Sequence, residues 1–150
     1  MGKKINPKIF RLKQTRTWDS KWFSNRKNYA GLLRQDLLIK KLLKAKLAEA
    51  SVSDIQIERT AKEVNVFVYS GRPGVILGRG GAGLETLKKE ITRKIIKDQK
   101  IKFSINIKEV SNPNLDASIL GQGIKADIEK RIPFRRAMKQ GIAKAEKAGA

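Results

Sequence analysis

The glycine-rich stretch from Gly71 to Gly83 restricts the fold of this 150-residue chain more than any other segment. It holds six glycines and two arginines, Arg72 and Arg79, around a short apolar run, and an amphipathic segment follows it directly. Glycine inside a helix or strand costs about 0.5–1 kcal/mol relative to alanine, so such a run is typical of a backbone that a ligand approaches closely. A helix that begins there offers free N–H groups and the positive end of its dipole. We therefore predict a phosphate-binding loop.

Three known phosphate-binding loops can be compared with this stretch. The Walker loop is excluded, because no glycine is followed by the required Gly-Lys-Ser/Thr. The dinucleotide fingerprint is present as Gly78 to Gly83, but Pro73 and Gly74 separate it from the preceding strand, and Asp98 lies in a polar turn rather than at a strand end. The third candidate is the Gly-x-x-Gly clamp of KH nucleic-acid-binding domains, which lies between two helices. Gly78-Arg79-Gly80-Gly81 fits it, and a surface turn without a ligand stays open as an alternative.

The charge of the chain indicates the class of its partner. Its formal net charge is +20, from 34 Lys and Arg against 14 Asp and Glu, which favours nucleic acid, with an anionic membrane surface as the second possibility. Cysteine and histidine are absent, so disulfides, thiolate catalysis and histidine proton transfer are excluded. We expect a non-catalytic protein without a metal or cofactor. No apolar run reaches the roughly 18 residues of a membrane span, and the N-terminus does not resemble a signal peptide, so we expect a cytoplasmic or organellar protein.

The N-terminal segment 1–27 carries nine basic residues against one acid, Asp19, with four aromatic residues interleaved. Basic residues neutralise phosphates and aromatic rings stack on bases, so the segment is interpreted as an RNA-binding extension, with Lys3, Lys4, Lys8 and Arg11 as candidates. A mitochondrial transit peptide is the alternative. Pro7 and the lack of a sustained helical stripe disfavour it.

A second basic cluster lies near the other end of the chain. Seven basic residues between positions 130 and 147 face a single acid, Glu146. Arginine is frequent among them, and its planar guanidinium binds phosphate through two parallel N–H groups. Arg131, Arg135, Arg136 and Lys139 are therefore candidate RNA-binding residues. We expect the last three to lie off the apolar side of their helix, formed by Phe134, Met138 and Ile142.

Hydrophobic periodicity gives the order of elements. We predict a helix over 28–50, broken near 34–36 where Asp36 caps a new helix, and a last helix from Phe134 to about Ala148 that Pro133 introduces. Between them we predict strands at 54–59 and 64–70 joined as a hairpin, a short helix, the clamp, a helix over 82–97, a strand at 101–108, and a helix capped by Asn112 that begins at Pro113 and runs to Arg131.

The central part of this order is αββααβ, the arrangement of a type II KH domain, with the clamp between the two adjacent helices. Motif and topology agree. The predicted fold class is α+β: a basic N-terminal extension with a short helix over 1–35, a type II KH domain over 36–111, and a helical C-terminal segment over 112–150.

Several longer motifs resemble the bacterial-type ribosomal protein S-three family of the small subunit, and together they cover nearly the whole chain. They are Met1-Gly2-Lys3-Lys4-Ile5-Asn6-Pro7 with Arg11-Leu12, Trp18-Asp19-Ser20-Lys21-Trp22-Phe23, Ala50-Ser51-Val52-Ser53-Asp54-Ile55 with Ile57-Glu58-Arg59, Arg72-Pro73-Gly74 through Gly81, Asn112-Pro113-Asn114-Leu115-Asp116-Ala117, and Arg131-Ile132-Pro133-Phe134-Arg135-Arg136-Ala137-Met138-Lys139. The last is the most specific, because KH folds in general do not require it.

The resemblance implies a structural RNA-binding protein of the small-subunit head, located in the ribosome. It implies contacts with ribosomal RNA, with messenger RNA where it enters the subunit, with small-subunit proteins ten and fourteen, and with four and five across that channel. In the family the basic residues after the phenylalanine are associated with unwinding messenger structure, which carries over to Arg135, Arg136 and Lys139. Gln140 and Gly80 depart from the family, where many members have a basic residue. Family members also have a second α/β domain, which would follow Ala150.

Overall fold

A computed structural model describes residues 2–96 and 101–150. In this part of the chain the helices are α1 Pro7–Phe10, α2 Arg26–Lys46, α3 Pro73–Leu77, α4 Ala82–Ile91, α5 Ala117–Glu129 and α6 Phe134–Lys147. The strands are β1 Ser20–Lys21, β2 Val52–Arg59, β3 Glu63–Ser70 and β4 Lys102–Glu109. Single 3-10 turns occupy Ala48–Ala50, Arg79–Gly81 and Pro113–Leu115, and a π-helical turn, Thr92–Ile96, extends α4. The αββααβ order from α2 to β4 confirms the predicted topology, whereas Asp98 and the end of the predicted helix over 82–97 lie outside the described residues.

The four strands form one sheet in the order β1-β2-β3-β4. β2 and β3 pair antiparallel as the predicted hairpin, and β4 pairs parallel to β3 from Glu63↔Lys102 to Ser70↔Glu109. β1 was not predicted. It pairs parallel to β2 through Ser20↔Ile57 and Lys21↔Glu58, so the basic extension adds an edge strand to the sheet.

The core lies between one face of this sheet and the helices of the KH domain. Alternation in β3 buries Val64, Val66 and Val68 completely, as a strand with one covered face requires. Ile39 and Leu43 of α2 are fully buried on the same side, as are Ile76 of α3 and Ile91 of α4, in a single cluster of apolar residues. The sheet therefore fixes α3 and α4, and with them the glycine loop between them.

The predicted break near residues 34–36 is wrong, because α2 runs without interruption from Arg26 to Lys46. Asp36 lies inside that helix, and only 3% of its side chain is exposed. Its carboxylate accepts hydrogen bonds from the Arg59 Nε at 2.6 Å and from the Trp22 indole N–H at 2.7 Å. A tertiary ion pair, and not a helix cap, explains this aspartate.

The helix predicted to begin at Pro113 is also corrected. Pro113–Leu115 is a separate 3-10 turn, and α5 begins after Asp116. The Asp116 carboxylate accepts hydrogen bonds from the backbone N–H groups of Ser118 at 2.8 Å and Ile119 at 3.1 Å, so Asp116 is the N-cap in place of Asn112.

The last helix has the predicted extent but a different buried face. α6 buries Ala137 and Gly141, whereas Phe134, Met138 and Ile142 are exposed by 58%, 45% and 59%. A Cβ on Gly141 would lie 2.9 Å from Ile124 Cδ1 of α5. The small residues of α6 therefore permit close packing on α5 and turn the larger apolar side chains outward.

Candidate nucleic-acid interface

The glycine loop connects the end of α3 to the start of α4. The Gly78 N–H donates to the Gly74 carbonyl at 3.0 Å and closes α3. Gly78 has φ 68° and ψ −174°, a region that only glycine adopts without strain, and Gly80 and Gly81 have φ 62° and 81°. These three glycines turn the chain from one helix into the next. Since the loop lies between two helices and does not follow a strand, its context is that of the KH clamp and differs from the strand-to-helix turn of dinucleotide-binding proteins.

The two helices approach each other closely at the loop. A Cβ on Gly83 would lie 2.8 Å from the Ile76 carbonyl oxygen and 3.0 Å from that of Leu77. Gly81 is the N-cap of α4 and has no side chain to accept a hydrogen bond from the first turn. The start of α4 therefore presents its backbone N–H groups beside a flat glycine surface, which suits a phosphate.

Arg72 and the glycines of the loop lie at positions that a ligand can reach. Arg72 is exposed at the N-cap position of α3, and its backbone N–H donates to the Ser70 hydroxyl at 3.0 Å. Arg79 begins the 3-10 turn of the loop, in which Gly80 is exposed and Gly81 is half-buried. A Cβ on Gly80 or Gly81 would meet no heavy atom within 4 Å, so the loop is open on this side.

The basic residues at the start of α6 form a second surface. Arg135, Arg136 and Lys139 are exposed, and none of them lies within salt-bridge distance of an acid in the part of the chain that the structure describes. Arg131 precedes them in the turn between α5 and α6 with φ 63°, and its N–H donates to the Ile128 carbonyl at 2.8 Å. These cations are therefore not neutralised within the described chain.

The helices that carry this surface are fixed beside the clamp. The Gln122 side chain of α5 donates to the Val52 carbonyl at 2.6 Å. A Cβ on Gly71, just before α3, would lie 3.2 Å from Pro113 and 3.4 Å from Ile119. α5, on which α6 packs, thus lies at the start of β2 and beside the segment that leads into α3.

The candidate cations of the extension are exposed as well. Lys3, Lys4, Lys8 and Arg11 all face solvent, with Lys8 Nζ 3.7 Å from the Asp19 carboxylate and Arg11 Nη1 donating to the Pro7 carbonyl at 3.2 Å. β1 attaches this segment at Ile57 and Glu58, so the two basic clusters are anchored toward opposite ends of β2.

Two features of the extension were missed by the sequence reasoning. Trp22 was grouped with the stacking aromatics, but its indole docks the extension through Asp36 and lies against Tyr29, with ring centroids 5.2 Å apart. A cavity of about 580 Å³ also opens between the extension, the start of α2 and β2. The sequence held a signal for this docking. Asp36 lies on the same face of its helix as the buried Ile39 and Leu43, and Arg59 is the one cation of β2.

Within residues 2–96 and 101–150, no helix is long and apolar enough to cross a membrane, and no group of three or more carboxylates could hold a metal ion.

Comparison with known proteins gives the class of the fold. The family profile described as KH domain matches residues 38–115, which begin within α2, include β2 to β4 and end in the Pro113–Leu115 turn. The chain belongs to the KH domain family.

Relatives that match the whole chain give the particular protein to which it is similar. The "Small ribosomal subunit protein uS3" of Laribacter hongkongensis is 45% identical over 150 residues, which are 100% of this chain and 63% of that protein. Proteins of the same name from Pelotomaculum thermopropionicum and Caldicellulosiruptor saccharolyticus are each 44% identical over the full chain and are covered to 63% and 66%. The chain thus spans a little under two-thirds of the length of these relatives. The resemblance to the S-three family is confirmed, and these relatives are named as ribosomal proteins and not as enzymes.

Proposed function

We propose that this chain is a non-catalytic, RNA-binding part of the small ribosomal subunit. It binds ribosomal RNA through the Gly78–Gly81 clamp and the N-terminal extension, and its α6 lines the channel where messenger RNA enters. The observation that carries the proposal is the set of exposed cations on α6, Arg135, Arg136 and Lys139, which the described chain leaves without acidic partners. The full-length similarity to proteins named uS3 supports the ribosomal setting.

In this proposal the partners are small-subunit ribosomal RNA, messenger RNA, and the small-subunit proteins ten and fourteen, with four and five across the channel. The site of action is a ribosome in the cytoplasm, or in an organelle. Binding is led by charge, because neutralising phosphates releases counterions whatever the RNA sequence.

The role of α6 can be tested with paired reporter messages, one with and one without a stable hairpin near the site where the message enters. The change of Arg135, Arg136 and Lys139 together to Ala removes only exposed side chains, so the fold and subunit assembly should be retained. Reconstituted particles with this variant should translate the hairpin message more slowly, and the unstructured message at the original rate. Equal slowing of both messages would show that these residues serve as a general RNA anchor.

The clamp can be tested at Gly81, where the backbone conformation is left-handed and the space around a Cβ is open. Asp and Asn tolerate such a conformation better than other non-glycine residues. Gly81→Asp should weaken RNA binding at the clamp, because it places a negative charge where a phosphate would lie. Gly81→Asn is the matched control, with the same shape and no charge. If the two variants bind RNA equally, phosphate recognition by the loop is wrong.

The extension can be tested by salt dependence. For single-stranded RNA, log K falls with log[salt] by about 0.7 for each neutralised phosphate. Changing Lys3, Lys4, Lys8 and Arg11 to Gln should flatten the slope by about 3 if each contacts one phosphate. An unchanged slope would exclude these four residues from the interface. NAD, ATP and GTP should not bind tightly through the Gly78–Gly83 loop, and structured RNA should be preferred over anionic vesicles.

A further inference from the structure

We propose that the cavity beneath the N-terminal extension binds one unpaired guanine base of an RNA strand. The proposal rests on the RNA-binding function above and adds a base-specific site to it. The cavity measures about 580 Å³, within the range of about 300–1,000 Å³ typical of ligand sites. The extension, the first turns of α2 and the outward-facing side of β2 line it. Neither the glycine clamp nor α6 contributes to its wall.

The aromatic lining supplies a surface on which a base can stack. Trp18, Trp22 and Tyr29 all line the cavity. Trp22 is fixed by its hydrogen bond to Asp36 and by its contact with Tyr29, at an interplanar angle of 42°. Trp18 remains 59% exposed. An exposed indole in the wall of a cavity is suited to stack on a base, and RNA-binding proteins recognise splayed-out bases in this way.

The polar lining selects the kind of base. Asp19, Asp54 and Gln56 contribute to the wall, and Asp54 uses one carboxylate oxygen to accept the Ile55 N–H at 2.9 Å. An ionised carboxylate only accepts hydrogen bonds, so it suits a base edge that presents two adjacent donors. Guanine presents such a pair, N1–H and N2–H, on its Watson–Crick edge. Adenine, cytosine and uracil each have a hydrogen-bond acceptor next to the donor on this edge. The lone pair of that acceptor would face a carboxylate oxygen, which cannot donate to it.

The cations of the cavity suit the sugar-phosphate part of the same nucleotide. Lys8 and Arg16 line the cavity together with the acids. A hydrogen-bonded loop holds Arg16 in place, since its N–H donates to the Arg11 carbonyl at 3.1 Å and its own carbonyl accepts from Lys13 at 3.0 Å. Aromatic, acidic and basic groups therefore meet at one place, as the base face, base edge and phosphate of a nucleotide require.

The test uses the full chain and fluorescence anisotropy of labelled five-nucleotide RNAs, all-uridine except for a central G, A, C or U. The wild-type chain should bind the central-G oligonucleotide about tenfold or more tightly than the other three. Trp18→Ala should weaken binding of the central-G RNA by about 5- to 150-fold, because stacking on one aromatic ring contributes on this scale. Trp18→Phe should restore most of it.

Asp54→Asn should abolish the preference for guanine, while its effect on binding of the all-uridine RNA should be no larger than that of Glu49→Gln. Glu49→Gln is the matched control, because it makes the same chemical change at an exposed residue outside the cavity. Equal affinity of the wild-type chain for all four oligonucleotides would overturn the guanine site, as would a Trp18→Ala variant that binds like wild type. Either result would leave the general RNA binding intact, whereas failure of every RNA to bind would overturn the proposed function itself.

Discussion

Replacement of Asp36 by Ala should destabilise the fold severely, because it leaves Arg59 as a buried charge without its counter-ion. The two side chains are only 3% and 5% exposed, and they meet through the 2.6 Å hydrogen bond from Arg59 Nε. Removing one member of such a buried pair typically costs about 3–5 kcal/mol. A domain of this size has a total stability of about 5–15 kcal/mol, so the loss is a large fraction of it.

The effect can be measured by thermal and urea unfolding followed by circular dichroism. A loss of about 3–5 kcal/mol corresponds to a fall in melting temperature of roughly 6–20 °C, at about 2–4 °C per kcal/mol for this chain length. Glu129→Ala is the matched control. Its carboxylate pairs with Lys125 at 3.7 Å and is 65% exposed, so its loss should change stability by less than about 1 kcal/mol.

A double variant separates the buried charge from the lost packing. Asp36→Leu combined with Arg59→Met replaces both charges by apolar groups, and buried pairs treated in this way often keep or gain stability. The double variant should therefore be more stable than Asp36→Ala. If Asp36→Ala melts at the same temperature as the Glu129→Ala control, the buried pair does not hold the extension and α2 to the sheet.

Four further substitutions have outcomes that follow from the structure. Hydrogen bonds from two lysines, foremost Lys46, lower the pKa of Glu90 from 4.5 to about 2, so the folded state binds its proton less readily than the unfolded chain. The stabilisation is present above about pH 4.5 and is lost as the pH falls toward 2, where the urea midpoints of wild type and Glu90→Gln should converge. Gly83→Ala should lower the free energy of unfolding in urea by about 1–3 kcal/mol, because its Cβ would overlap carbonyl oxygens of α3. Gly121→Ala, in open space on α5, should raise that free energy by about 0.5–1 kcal/mol. Asp116→Ala should lower the free energy of unfolding by about 1 kcal/mol, because α5 loses its N-cap. An unchanged urea midpoint would contradict that assignment.

The elements that the sequence predicted correctly are those whose periodicity is decided locally. Alternation around Val66 marks β3 because each buried residue is followed by one on the other face. The glycines of the clamp were identified from their density and their Gly-x-x-Gly spacing, and the structure gives positive φ at Gly78, Gly80 and Gly81. Their binding role stays a prediction.

The errors arise where distant residues decide the structure. Aspartate often caps helices, so Asp36 was predicted to begin one. Only Arg59, 23 residues away, explains why Asp36 is buried in the middle of a helix. Ser20 and Lys21 are too few to show a strand period, so β1 is visible only once β2 is in place. On α6 the apolar stripe predicts one buried side, but the small Ala137 and Gly141 determine where α5 can approach.

The pairing of β1 with β2 also affects the order in which the chain can fold during synthesis. Domains tend to fold from the N-terminus as the chain is made, but Lys21 pairs with Glu58 and Trp22 binds an aspartate that needs Arg59 as its counter-ion. The extension is therefore translated first and docked late, after β2 has emerged. Until then the segment has no strand to pair with, and docking converts it into an edge of the sheet.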